Sequence, residues 1–373
     1  IYNLLDDLVN FGFVPNGGRI YYTDRSQPPM LSEMVIVYLN HVNWAQSEEG
    51  QEMLARAVPL LQKEYAFWMD SAKGHCITIR GHRLNRYHSS DSTPRPESYF
   101  EDVEAAKSGG DGVKAAEVLY TEIRTGAETG WDFSSRFMRP TRGAGVGAAE
   151  QSYSTASLHP TEILPVELNS IILRFERNMA RLTGEEEEWK ERAERRQQAM
   201  ELLMFDEKQH CWKDFNLTSS SSVDRATVIA RESSVANYIP LWAGLGQGKS
   251  CEALVDSVKQ SGLLGAGGVF TTTIESGQQW DYPNAWAPLV ALLVEGLDTL
   301  SGKRGQCEEA TALASKLRQQ WLYTCYSAWR ESGYMFEKYN ATLPGQGGGG
   351  GEYEPQLGFG WTNGVALAFL AKE

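Results

Sequence analysis

The chain has 373 residues, of which 42% are apolar, 22% charged and 11% aromatic, a balance that supports a packed core and excludes a disordered or collagen-like polymer. Its formal charge of −13, from 48 acidic and 35 basic residues, excludes a general phosphate-backbone binder and so a nucleic-acid partner; a neutral substrate fits better. The longest apolar stretch, Ala287 to Val294, is eight residues long and contains Pro288, far short of a membrane span.

In chain order, apolar periodicity predicts helices over Asn3–Asn10, Pro29–Val42, Glu48–Ser71, Pro96–Lys107, Val113–Ala127, Glu162–Leu182, Glu185–Phe205, Ser234–Gly244, Cys251–Ser261, Asn284–Leu300, Cys307–Ala328 and Asn363–Ala371. Only Cys76–Arg80 and Cys211–Phe215 read as strands, and they suit hairpin decoration. No βαβ alternation is present, so the fold class is all-α. The helices are of two kinds. Glu185–Phe205 is highly charged and carries one apolar stripe through Trp189, Ala193, Met200, Leu203 and Met204, as a surface helix does. Trp286–Leu293 is apolar nearly all round and should be buried on every side. Alternating outer and inner helices are what a barrel of helices within helices requires. Leu217–Val223, with serine at 219 to 222, reads as a mobile loop too short to divide the chain, which favours one domain.

Five cysteines, at 76, 211, 251, 307 and 325, contain no CxxC pair, and His75, His82 and His88 lack metal-ligand spacing; neither a metal site nor a cofactor is indicated. At most two disulfides could form, with one thiol left over. The sequons Asn216-Leu-Thr218 and Asn340-Ala-Thr342 permit glycosylation in a secretory compartment.

The loops are unusual in carrying Trp, Arg, Asp, Glu, Asn and Gln, as in Asn16–Arg19, Arg25–Pro29, Gly130–Arg136 and Gln278–Pro288. Function concentrates in loops held on rigid scaffolds. Aromatics beside carboxylates and planar polar groups suit a sugar, whose hydroxyls donate and accept while its ring face stacks on Trp or Tyr. Plainer readings exist for single pieces. Asp132 could be an N-cap with Ser134 and Ser135 closing a turn. Tyr334–Tyr339 could be an exposed helix end with a Glu337–Lys338 surface pair. The glycine run 347–351 lacks the Lys-Ser/Thr of a phosphate loop and is read as letting backbone approach a ligand.

Gln279-Trp280-Asp281-Tyr282-Pro283-Asn284-Ala285-Trp286-Ala287-Pro288 resembles the second signature of trehalases, with ten uncommon positions in order. Pro15-Asn16-Gly17, Arg25–Pro29, Arg95–Tyr99, Gly130–Arg136, Glu337–Tyr339, Gly348–Tyr353 and Gly358–Asn363 are similar to further family motifs, in family order. The resemblance, nearest to animal-type members, implies an (α/α)6 toroid that hydrolyses α,α-trehalose with inversion. It implies Asp132 as general acid and Glu337 as general base, with Asn16, Arg25, Ser26, Gln27, Arg95, Glu97, Gly130 and Glu352 on sugar hydroxyls and Trp280 and Phe359 as walls. Inverting enzymes hold the two carboxyls about 6.5–9.5 Å apart to admit water.

One departure is that the family's earlier signature, upstream of the segment matching Ile1, has no equivalent in the chain. The expectation is therefore a single catalytic domain over 1–373, incomplete at its start, that hydrolyses trehalose poorly. Any membrane anchor would lie outside these residues, and an extracellular or cell-surface location is favoured. The alternatives are another inverting (α/α)6 glycosidase or an inactive trehalose-binding form.

Overall fold

The computed structural model describes residues 1–108, 115–142, 151–217, 233–302 and 307–372. The serine run and Thr218 of the first sequon lie outside the described residues, as do Val113 and Lys114 of one expected helix. The chain is mostly helical, as expected. It divides into two compact units, Ile1–Trp131 with Ser154–Leu203 and Phe215–Ala226, and Asp132–Tyr153 with Met204–Asp214 and Thr227–Glu373.

The first unit holds α1 (Tyr2–Phe11), α2 (Leu31–His41), α3 (Glu48–Trp68), α4 (Tyr99–Ser108), α5 (Ala116–Glu128), α6 (Val166–Leu182) and most of α7 (Glu186–Met204). Its core joins Leu5 and Leu8 of α1, Val35 and Leu39 of α2, Met53, Ala57 and Leu61 of α3, and Leu168, Phe175 and Met179 of α6. The α7 stripe behaves as read: Trp189, Ala193, Met200, Leu203 and Met204 are buried, while Glu186, Glu187, Glu188, Glu191 and Glu194 face water. The hairpin Cys76–Ile79 with His82–Asn85 turns through Arg80 and Gly81, both at positive φ as a two-residue turn demands. Asn85 and Asn169 exchange hydrogen bonds of 2.8 and 2.9 Å, so a buried polar pair fixes the hairpin to α6.

Glu64, in the middle of α3, is buried with one carboxyl oxygen making no hydrogen bond among the described residues. Burial pushes its carboxyl up to about 8. The folded chain therefore keeps a proton that the unfolded chain releases above about pH 4.5, and stability falls as pH rises toward 8. The expected loss is roughly 2–3 kcal/mol between about pH 5 and about pH 7. Glu64→Gln should flatten this slope, which urea midpoints at the two pH values measure; an unchanged slope refutes the assignment.

The second unit holds α8 (Ile239–Trp242), α9 (Cys251–Gln260), α10 (Ala287–Ser301), α11 (Glu308–Ser332) and α12 (Gly360–Leu370). The apolar α10 packs against α8, α11 and α12, and none of its residues is exposed. At Gly296 a Cβ would lie 2.8 Å from the Trp242 backbone nitrogen, so glycine permits the close approach of α8. Cys251 and Cys307 form a disulfide with Cα atoms 6.3 Å apart, joining the first residue of α9 to the N-cap of α11.

Three expected helices begin differently. Asn284–Trp286 is a strand paired with Lys338–Asn340, and the helix starts only at Ala287, because Pro288 fits the first turn but not a helix interior. Ile163–Leu164 is extended and pairs with Phe215–Asn216, since Pro165 disfavours helix in the residue before it. In Ser234–Gly244, Ser234 caps a 3-10 turn over Val235–Tyr238, and Pro240 sits in the first turn of the short α8. The Tyr334–Tyr339 segment is not a helix end: α11 stops at Ser332, and Lys338 is fully buried rather than paired on the surface.

Candidate active site

In the first unit the segment Asn16–Gln27 folds back on itself. The Asn16 amide nitrogen donates to the Ser26 carbonyl at 3.0 Å and the Ala127 carbonyl at 3.3 Å, and the Gln27 amide donates to the Asn16 carbonyl at 3.2 Å. The Ser26 backbone amide donates to Glu128 Oε1 at 3.0 Å. Glu128 is fully buried and also accepts from the His88 amide at 2.7 Å and pairs with His75 at 3.2 Å. Burial opposes its ionisation, but His75 and the two amides outweigh that and hold the carboxyl below its usual range.

Arg25 is buried and pairs with Asp24, at 2.9 Å, and with Glu97. Arg124 pairs with the same Asp24. Arg25 Nε and Glu97 Oε2 are buried and make no hydrogen bond among the described residues. Such orphaned groups cost free energy unless a ligand meets them. The Arg95 guanidinium is held by Asp102 through Nε at 3.1 Å and Nη2 at 2.7 Å. Gly130 sits at φ 71° after α5, where a side chain would be strained, with Gln27 Oε1 only 3.4 Å from where a Cβ would stand. Structure thus gathers Asn16, Arg25, Ser26, Gln27 and Gly130 around Glu128, with Glu97 joined through Arg25.

In the second unit Asp132 opens the loop to Arg136. Asp281, fully buried, anchors that loop: it accepts from Ser134 Oγ at 2.8 Å, the Ser135 amide at 2.7 Å, Thr272 Oγ1 at 2.8 Å and Ser276 Oγ. Burial holds its carboxyl above the usual range, against the opposing pull of the four donors. Arg136 closes the loop through Nε on Asp214 at 2.7 Å. Asp132 is not a helix cap; Ser134 caps the 3-10 turn Ser135–Phe137.

Gln279 links this loop to the strand that follows Glu337. Its amide nitrogen donates to the Asp132 carbonyl, and its Oε1 accepts from Lys338 Nζ at 2.6 Å. Glu337 is half-buried; its Oε2 accepts from the Gln356 amide at 3.0 Å, and its carbonyl accepts from Trp361 Nε1 at 2.9 Å. Trp361 packs edge-on to Trp280 and Trp286, which stack with centroids 3.9 Å apart, while Phe359 lies 4.5 Å from Trp361. Glu352 is exposed at the end of the glycine run. The close approach those glycines permit is to the chain itself. Gly350 and Gly351 have positive φ, and added Cβ atoms would meet the Gly277 carbonyl at 2.6 Å and Gln279 Cβ at 2.9 Å. Structure therefore gathers Asp132, Trp280, Glu337 and Phe359 around Gln279 and Lys338.

Sequence reasoning missed the supporting groups Asp24, Asp102, Arg124, Glu128 and Lys338. Asp24 beside Arg25, and Asp102 one helical turn past the segment Arg95–Ser98, were local signals for counter-ions. Lys338 gave a misleading one, because adjacent Glu and Lys usually share solvent.

A family model described as Trehalase matches residues 1–373. A probable trehalase from Oryza sativa subsp. japonica is 37% identical over 396 residues, covering 99% of this chain and 65% of that protein. A Homo sapiens trehalase is 36% identical over 380 residues, covering 99% of this chain and 60% of that protein. The chain thus spans less than two thirds of the length of these curated relatives. The solved neutral trehalase from Saccharomyces cerevisiae aligns with a TM-score of 0.74 at 23% identity, covering 99% of this chain and 66% of that one, which shows a shared fold. With a family model matched from the first residue to the last and relatives above one third identity, this chain belongs to the trehalase family.

Proposed function

We propose that residues 1–373 form one catalytic domain that hydrolyses α,α-trehalose to two glucose molecules with inversion. Family membership supports the substrate. The observation that carries the residue roles is the Gln279 amide joining the Asp132 carbonyl to Lys338, the neighbour of Glu337. In this reading Glu337 takes a proton from water as the water oxygen bonds the anomeric carbon. The bond to the bridging oxygen breaks, and Asp132 gives that oxygen its proton. Arg25, Glu97 and their neighbours Asn16, Ser26, Gln27, Arg95 and Gly130 bind hydroxyls, Glu352 adds a carboxylate, and Trp280 and Phe359 form apolar walls.

Inversion predicts one β-glucose from the attacked ring and one α-glucose from the leaving ring. Proton NMR of the anomeric signals, recorded before mutarotation, should show the two in equal amounts. Two α products would establish retention and remove the assigned roles.

The Cys251–Cys307 disulfide and the Asn340-Ala-Thr342 sequon support an extracellular or cell-surface location, because disulfides persist in oxidising compartments.

A further inference from the structure

Lys338 has an environment that its neighbours' roles do not account for. It is fully buried, yet no carboxylate forms an ion pair with it among the described residues. Its ammonium is met by Gln279 Oε1 at 2.6 Å, by the Gly350 carbonyl at 3.4 Å and by the Trp286 ring, whose centroid is 5.3 Å away. A buried cation without a paired anion is costly, so its retention needs a use. Two further contacts confine it: the strand Lys338–Asn340 pairs with Asn284–Trp286, and a Cβ at Gly348 would come within 2.9 Å of Lys338 Cγ.

We propose that Lys338 is a positioning residue: through Gln279 it fixes the Asp132 backbone relative to the strand that follows Glu337. The inference rests on the acid and base roles given above. Gln279 is the coupler, since one planar amide takes the ammonium on its oxygen and reaches the Asp132 carbonyl with its nitrogen. The charged groups that act on the ammonium are Glu337, just before its strand, and Asp132. Burial lowers the lysine's proton affinity while these two carboxylates oppose that fall.

The test measures kcat and KM on trehalose, together with the carbon-13 signal of the Asp132 backbone carbonyl, in the wild type, Lys338→Met and Lys338→Arg. Loss of the ammonium leaves Gln279 without its anchor, so Lys338→Met should move the Asp132 carbonyl signal and lower kcat about 10-fold with KM changed less than about threefold. Lys338→Arg, which can still donate to Gln279, should return both toward the wild-type values. An unmoved carbonyl signal in Lys338→Met overturns the proposal even when trehalose is turned over normally. A moved carbonyl signal in a protein inert to trehalose sustains the positioning role and refutes the catalytic reading instead. Gln279→Leu supplies the second variant: it keeps the charge and cuts the link, so kcat should fall at least 10-fold with KM changed less than about threefold. Equal losses in KM and kcat/KM there would assign Gln279 to binding and overturn the coupling.

Discussion

Asp132→Asn and Glu337→Gln should each lower trehalose turnover by roughly 10²–10⁴-fold while the thermal midpoint stays within a degree or two of the wild type. Each change keeps the side-chain shape and removes one proton-transfer function. The folding cost is small because each replacement keeps the side-chain shape and an oxygen that can still accept a hydrogen bond. The loop after Asp132 is anchored by Asp281 and by the Asp132 backbone carbonyl. Among the described residues, the Glu337 segment is held by a backbone hydrogen bond to Gln356 and by its carbonyl to Trp361; only the 3.0 Å bond from the Gln356 amide uses the carboxylate, and a glutamine oxygen can accept it. Initial rates of glucose release and circular-dichroism melts decide the matter. Near-native turnover in either variant removes that residue from its role, and a collapsed melting curve would show that the loss of activity is a loss of fold.

Replacing Cys251 and Cys307 together by serine should destabilise the protein by about 4 kcal/mol, the loop-closure contribution expected for a bridge across a large loop. The bridge spans 56 residues and joins the starts of α9 and α11, so its loss frees both helix beginnings in the unfolded chain. The other three cysteines do not compensate. All are buried, and burial pushes the Cys211 thiol up to about 11 and the Cys325 thiol up to about 12. At neutral pH Cys211 and Cys325 remain thiols, which exchange poorly. Urea denaturation of the wild type with and without reductant, beside the double variant, gives the size of the effect. Coincident curves for all three would mean that the bridge contributes nothing.

Much of the helical framework was legible because helix formation is written in local spacing. The buried α10 and the one-striped α7 were distinguishable by how far round the helix the apolar residues run. The errors fell where a proline or a distant strand decides. Nothing local in Asn284-Ala-Trp286 announces a pairing with Lys338–Asn340, more than fifty positions away, and three residues cannot display a period.

The candidate site divides along the same line. The sequence alone supplied the residue types: carboxylates, arginines and tryptophans in loops, in an order that matches a family. It also singled out Gln279 and Asp281, as parts of a motif without roles. Only the tertiary structure showed that Asp281 gathers four donors from two segments, that Glu128 ties the Ser26 amide to the His75–His88 hairpin, and that Lys338 is a buried cation instead of a surface partner for Glu337. The physical reason is that a side chain's charge state and role depend on what desolvates and hydrogen-bonds it. Those neighbours are brought together by chain folding across tens to more than a hundred residues, a range over which spacing in sequence carries no information about distance in space.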